Sequence, residues 1–133
     1  LPTEAEWDFA ASRAPGDQPE DRRRFAWGDD PPTPQRANLD GRALGVADVA
    51  AFPVGDTAFG CRQMIGNVWE WTSDRYSAEK DWRIVRGGSW FHNVNMARSD
   101  YRYGRYLTLN YRLDLIGFRC CRSDSPAAEK TAP

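Results

Sequence analysis

The residues best suited to chemistry lie together near the carboxy end of the chain. Four of the five Tyr side chains, at positions 101, 103, 106 and 111, fall within residues 85–122. They are mixed there with Asn, Asp, Gly, Thr and Leu. Tyr among small polar residues gives large, rigid and amphipathic contact area at a low cost in conformational entropy. The composition therefore predicts a surface that recognises another molecule.

An ordinary half-buried strand is the competing interpretation. Tyr101 and Tyr103 have the spacing of side chains on one face of a strand. Residues 103–115, however, follow neither a period of two nor a period of 3.6, so no core face can be drawn through them. The missing period favours exposed loops over a buried element.

Side chains for metal or thiol chemistry are few. The chain has three Cys residues, at positions 61, 120 and 121, and one His, His92. No CxxC spacing is present, so zinc is not expected. Cys120 and Cys121 point to opposite faces if they lie in a strand, and one of them could instead pair with Cys61. His92 is expected to be a contact or packing residue.

Length and charge restrict the class of protein. The 133 residues, 41% of them hydrophobic, are sufficient for one domain with one core. A net charge of -1 gives no general attraction to nucleic acid, and no apolar run approaches the roughly 20 residues that span a bilayer. The first residue is not Met, so we expect a part of something longer. Residues 1–122 are assigned to the domain and residues 123–133 to a flexible tail.

The amino end predicts the elements that hold this surface. Thr3 and Glu6 have the spacing of a capping box, and Trp7 is the apolar anchor of the short helix that follows. Pro15 and Gly16 are expected to end that helix. Residues 17–60 predict long ordered loops pinned by single aromatics. The basic run at residues 22–24 is expected to be a solvated face balanced by Glu20 and Asp21.

Three strands are predicted farther along. In the first, which begins near Val68, Trp69 and Trp71 share one face. Residues 84–86 form the second strand and residues 118–122 the third. Gly87 and Gly88 are expected to permit a bulge or a close backbone approach. We expect Trp69, Trp71 and Phe118 to be buried.

A series of motifs runs through nearly the whole chain. They are LPTEAEW at residues 1–7, WGD at 27–29, AN at 37–38, MIGNVWEWT at 64–72, RGGSW at 86–90, ARS at 97–99 and GFR at 117–119. In this order they resemble the formylglycine-generating-enzyme (sulfatase-modifying factor) domain family. The resemblance implies a loop-rich α+β domain with a C-type-lectin-like fold, a small antiparallel sheet and few short helices. It also implies that an N-terminal portion precedes LPTEAEW.

Two enzymatic branches of that family have metal ligands that this chain lacks. Sulfatase-activating members bind copper with a Cys pair shortly after RGGS, where this chain has His92 (or Phe91) and Ala97. Ergothioneine-type sulfoxide synthases place several His residues on a mononuclear iron, and one imidazole cannot build that site. Iron ligands for such an activity would have to come from a part of the protein outside this sequence. We therefore expect the chain not to be an enzyme.

A third branch, the variable proteins of diversity-generating retroelements, resembles the chain most. Their mutagenesis cannot produce Lys, Glu, Gln, Met or Trp, and none of these occurs at residues 99–119. The resemblance implies recognition of a protein or cell-surface ligand by a hypervariable face, without nucleic acid or membrane insertion. An unvaried non-catalytic member and a metal-dependent oxidoreductase are the alternatives. The predicted ligand-binding residues are Phe91, His92, Asn93, Asn95, Asp100, Tyr101, Tyr103, Gly104, Tyr106, Leu107, Thr108, Asn110, Tyr111, Leu113 and Asp114.

Four arginines and a group of oxygen donors are expected to hold the scaffold together. Arg98, Arg102, Arg112 and Arg119 are expected to stack on Trp or to tie loops to carboxylates such as Glu70 and Asp74. No cofactor is required, but the family resemblance implies a possible structural calcium. Its oxygen ligands would come from Gln63, Gly66, Val68 and Glu70. An ion pair between Glu70 and an Arg is the alternative.

Overall fold

Short elements joined by long loops make up the chain in the computed structural model. The structure describes residues 1–104, 107–108 and 110–122. Tyr106 and the predicted tail at residues 123–133 lie outside the described residues. The elements are α1 (Glu4–Ser12), a 3₁₀ turn (Pro53–Gly55), β1 (Trp69–Arg75), β2 (Arg83–Arg86), a 3₁₀ turn (Val94–Met96), β3 (Arg102–Tyr103) and β4 (Ile116–Gly117). The loop-rich α+β architecture predicted from the sequence is confirmed.

The helix begins as its sequence predicts. The Thr3 side chain accepts a hydrogen bond from the Glu6 backbone amide, and the Glu6 carboxylate accepts one from the Thr3 amide. These two bonds satisfy amides that have no partner within the helix. The helix ends at Ser12, before Pro15. Trp7 is 1% exposed and anchors the helix to the core.

The four strands form one small sheet in the order β3-β2-β1-β4. The β1–β2 and β2–β3 pairs are antiparallel, whereas β1 and β4 are parallel, so the sheet is mixed and not purely antiparallel. The last strand was predicted at residues 118–122 but occupies Ile116–Gly117. Phe118, predicted to be buried, is 68% exposed, because pairing with β1 ends at Gly117.

Two apolar clusters form the core. One gathers Trp7, Phe25 and Met64 with smaller residues between helix α1 and the loops. The other lies on the sheet around Trp69 and Val85. Trp69 is 2% exposed, as predicted, whereas Trp71 is only partly buried against this second cluster. Among the aromatics predicted to pin residues 17–60, Phe25 is buried in the first cluster, whereas Phe59 is 40% exposed.

Arg86 ties the helix to the sheet. Its guanidinium donates to Glu4 Oε1 at 2.6 Å and to Asp8 Oδ1 at 2.8 Å, and it lies 5.0 Å from the centre of the Trp7 ring. Arg102 also donates to Glu4, at 2.8 Å and 3.0 Å, so it pairs with a carboxylate as expected. Charge-assisted bonds of this kind are stronger than neutral ones, so the register between helix and sheet is firmly set.

The basic run at residues 22–24 has other partners than predicted. Arg22 donates to Asp8 at 2.8 Å, and Arg23 pairs with Asp17 at 2.5 Å. Neither uses Glu20 or Asp21, because the loop folds back along helix α1 and brings more distant carboxylates within reach.

Across the described residues, the one α-helix has nine residues and no helix is long and apolar enough to cross a membrane.

Candidate functional site

What we call the aromatic shelf consists of Phe91, His92, Tyr101 and Tyr103. The last three pack around Trp69, whereas the Phe91 ring contacts that of His92, at 5.7 Å between ring centres. The Trp69 ring lies 5.5 Å from His92, 6.0 Å from Tyr101 and 5.7 Å from Tyr103, measured between ring centres. Strand β3 brings Tyr103 here, because Tyr103 pairs with Val85 of β2. Phe91 is 63% exposed and Tyr103 is 37% exposed, so the shelf presents aromatic surface to solvent.

His92 is held through one ring nitrogen. Trp69 Nε1 lies 3.2 Å from His92 Nδ1, and Ser89 Oγ lies 2.6 Å from the same atom. An indole nitrogen can only donate, so Nδ1 accepts and the proton of the neutral ring sits on Nε2. No described residue accepts a hydrogen bond from Nε2. This N–H group therefore has no acceptor within the described part of the chain.

Burial lowers the pKa of His92 below its usual value of 6.5. Because the unfolded chain then binds this proton more readily, stability is fully present above about pH 6.5 and falls as the pH drops below it. We expect the His92 resonances, assigned by comparison with an H92Q variant, to titrate below pH 6.5 and to show the Nε2–H tautomer. Nuclear magnetic resonance measures both. A midpoint above 6.5, or a proton on Nδ1, contradicts this geometry.

The donor set does not fit the iron centre that the family resemblance implies. No group of three or more His, Cys, Asp or Glu residues that could hold a metal occurs within the described part of the chain. Nδ1 of His92 is occupied by Trp69 and Ser89. A metal at Nε2 would move the ring proton to Nδ1 and remove the acceptor for the Trp69 N–H group. His92 is thus arranged as a hydrogen-bond donor and not as a metal ligand.

The predicted binding residues fall into two described groups and several separate positions. The first group is the aromatic shelf. In the second, Tyr111, Leu113 and Asp114 line an open hollow of about 440 Å³ together with Trp71 and Phe118. Asn93, Asn95, Asp100 and Asn110 are exposed, and Thr108 is partly exposed.

Two predicted binding residues are buried and require correction. Leu107 is 4% exposed and packs with Trp69 and Val85. Gly104 is also buried, and an added Cβ would lie 2.3 Å from the Arg83 carbonyl oxygen. Both support the sheet. Sequence reasoning missed the buried Ser89, although its place in the RGGSW motif was a usable signal.

Glu70 is an ion-paired acid. Arg119 Nε donates to Glu70 Oε2 at 2.6 Å and Arg119 Nη2 donates to Glu70 Oε1 at 2.8 Å, while Trp7 Nε1 donates to Oε2 at 2.8 Å. Burial acts to lower the pKa of Arg119, but the hydrogen bond and charge of Glu70, with a smaller effect of Cys61, hold it above the usual value. The predicted ion pair between Glu70 and an Arg is confirmed, with Arg119 as the partner, and it occupies the carboxylate assigned to calcium.

Gln63 and Gly66 form hydrogen bonds through nitrogen atoms, whereas Gln63 Oε1 is buried and has no hydrogen-bond partner among the described residues. The Gln63 side-chain amide donates to the Ala51 carbonyl at 3.2 Å and to that of Asp48, and the Gly66 amide donates to the Gly87 carbonyl at 2.7 Å. Calcium at Gln63, Gly66, Val68 and Glu70 stays a prediction. It would require Arg119 to leave Glu70.

The thiols form no disulfide. Cys61 is half-buried, Cys120 and Cys121 are exposed, and all three are free. The possible bridge to Cys61 is therefore not formed. The last strand ends at Gly117, so neither Cys120 nor Cys121 lies in a strand.

The mixed sheet, its single helix and the long pinned loops define a C-type-lectin-like domain. The sulfatase-modifying factor enzyme 1-like domain matches residues 1–124, and the chain belongs to this family. It is 41% identical over 123 residues to a hercynine oxygenase of Mycolicibacterium thermoresistibile, a match that covers 77% of this chain and 27% of the relative. An inactive C-alpha-formylglycine-generating enzyme 2 of Bos taurus is 36% identical over 138 residues, covering 90% of the chain and 42% of the relative.

A solved structure shows the same fold. Treponema denticola variable protein 1 aligns with a TM-score of 0.69 at 22% identity, covering 89% of this chain and 45% of that one. The likeness confirms the fold that the motifs imply and relates the chain to variable proteins by fold alone. The chain spans well under half the length of the curated relatives described above.

The expectation that the chain is not an enzyme is wrong. A hercynine oxygenase shares 41% of its aligned residues with the chain, which points to enzymatic members of the family. The absent Cys pair argues only against thiolate-bound copper. The single imidazole argues only against an iron site built entirely from this sequence. Neither observation excludes that this chain is one part of an enzyme whose metal ligands lie outside the given sequence.

Proposed function

We propose that the chain is part of an oxygen-dependent oxidoreductase related to the hercynine oxygenases. In this proposal the described residues supply a substrate-facing aromatic wall, and the metal ligands come from elsewhere in the protein. The observation that carries the proposal is the 41% identity to a hercynine oxygenase across 77% of the chain. The tautomer of His92, whose Nδ1 accepts from Trp69 and whose Nε2–H has no acceptor among the described residues, supports this division of roles.

The aromatic shelf suits a substrate of this kind. Hercynine is a betaine of histidine, so it combines a quaternary ammonium group with a carboxylate. Aromatic faces attract quaternary ammonium groups through the ring quadrupole. Phe91 and Tyr103 offer exposed rings, and the Nε2–H of His92 is suited to a carboxylate oxygen.

In this proposal the surface predicted from the sequence still binds another molecule. That molecule is a small substrate and not a protein or cell-surface ligand. Variation of these same residues by a retroelement is a separate prediction. A comparison of closely related sequences tests this prediction. A fixed Trp90 beside a changing Tyr103 supports variation, and an invariant Tyr103 contradicts it.

Replacement of Tyr103 by Ala is expected to weaken hercynine binding by about 2- to 30-fold, since one aromatic–cation contact contributes about 0.5–2 kcal/mol. Calorimetry on the full-length protein measures the affinity. Tyr76→Ala is the matched control, because Tyr76 is 39% exposed but packs on Trp82 and lies outside the aromatic shelf. Undetectable binding to the unaltered protein, or equal losses in both variants, contradicts the proposed wall.

A further inference from the structure

We propose that residues 22–29 and 98–100 form a pocket for a small apolar molecule that carries a carboxylate or phosphate group. This pocket is distinct from the aromatic shelf. It stands independently of the proposed oxygenase function.

The head-group compartment is rich in arginine. A cavity of about 250 Å³ is lined by the arginines at positions 22, 23, 24 and 98, by Ser99, and by Asp29 and Asp100. The lining therefore holds four arginines and two aspartates. Guanidiniums offer forked donors that match the oxygens of carboxylate and phosphate groups.

Two of these guanidiniums are already neutralised. Arg22 is paired with Asp8, and Arg23 is paired with Asp17. Arg24 has no carboxylate partner among the described residues, and its guanidinium lies 5.6 Å from the centre of the Phe25 ring. Arg24 is exposed, so its guanidinium is available to an anion in the cavity.

Arg98 adds a donor without an acceptor. Its Nε lies 3.2 Å from Asp100 Oδ1, but this atom is buried and no described group accepts its hydrogen bond. The ion-pair distance and the missing hydrogen bond together indicate poor alignment with the carboxylate. A buried N–H group of this kind costs free energy unless a partner is supplied. An anion in the cavity is the partner that the adjacent arginines favour.

The backbone around the cavity is fixed before any ligand arrives. The Ser99 amide donates to the Arg24 carbonyl at 2.8 Å, and the Ser99 hydroxyl donates to the Arg23 carbonyl. The Arg24 amide donates to Asp29 Oδ1 at 2.8 Å. Ser99 is fully buried. Preorganised backbone reduces the entropy lost when a ligand binds.

An apolar compartment adjoins the arginine-rich one. A second cavity of about 300 Å³ is lined by Phe25, Pro31, Pro32 and Val94, and it shares Arg24 and Asp29 with the first. Arg24 thus stands where the two cavities meet. A ligand with an anionic head and an apolar body matches both compartments.

Titration of the full-length protein with benzoate, phenyl phosphate and benzamide, followed by nuclear magnetic resonance, tests this pocket. We expect at least one of the two anions to bind, and the stronger one identifies the head group. Benzamide has the shape of benzoate without its charge and is expected to bind at least tenfold more weakly. Equal binding of benzamide, or no binding of either anion, overturns the proposal.

Matched variants locate the binding. We expect R24Q and R98Q each to weaken binding of the preferred anion at least fivefold, and R24K to retain part of it. R75Q removes an exposed arginine outside the pocket and is expected to leave binding unchanged. Circular dichroism confirms that each variant is folded. Anion binding that is unaffected in folded R24Q and R98Q overturns the proposal.

Discussion

Replacing Arg119 with Met is expected to lower the free energy of unfolding by about 3–5 kcal/mol, the usual result of removing one partner from a buried ion pair. The Glu70 side chain is only 8% exposed and both of its oxygens accept from Arg119. Without Arg119, the carboxylate keeps a single bond from Trp7 in a poorly solvated place. Urea unfolding of the two proteins measures the difference.

Arg112→Met is the matched control for this prediction. Arg112 is exposed, and a substitution at such a position changes stability by about 0.5 kcal/mol or less. Equal effects at the two positions would show that the Arg119–Glu70 pair does not stabilise the fold. A rise in stability of Arg119→Met on addition of calcium would instead favour the predicted calcium site at Glu70.

Gly87→Ala is expected to destabilise the fold by about 2–6 kcal/mol, from backbone strain and overpacking together. Gly87 has a φ of +98°, where an L side chain is strained. An added Cβ would lie 2.6 Å from the Met64 carbonyl oxygen and 3.1 Å from Trp7 Cζ2. Thermal and urea unfolding measure the loss.

Gly45→Ala provides the corresponding control. A Cβ at Gly45 meets no atom within 4 Å, and its φ lies outside the left-handed region. We expect no loss of stability there, and a gain of about 0.4–1 kcal/mol if the unfolded chain is stiffened. If Gly87→Ala were as harmless as Gly45→Ala, the close approach of the RGGSW segment to Trp7 would be wrong.

Local sequence chemistry predicted the elements that depend on neighbours in the chain. The Thr3–Glu6 capping box and strand β2 follow from a few adjacent residues, and both are confirmed. The close approach at Gly87 was also predictable, because two successive glycines in an apolar setting indicate crowding. Motif order predicted the fold class.

Contacts between distant residues limited the remaining predictions. Leu107 lies in a stretch without a period, yet it is buried because it packs against Trp69 and Val85. Strand β4 occurs earlier than predicted because its pairing with β1 fixes Ile116 opposite Trp69. Neither contact leaves a local signal in the sequence.

The same limit affected the functional site. The residues that orient His92 come from strand β1 and from the segment after β2, so the tautomer could not be read from spacing. The inference that the chain is not an enzyme counted metal donors within one sequence. That count says nothing about donors supplied by another part of a protein.

Oxygen uptake by the full-length protein, supplied with iron(II), hercynine and a thiol such as cysteine, tests the proposed oxygenase function most directly. The proposal predicts consumption of oxygen that depends on hercynine and falls when Tyr103 is replaced by Ala. Oxygen uptake that is the same with and without hercynine, in a protein with iron bound, would contradict it.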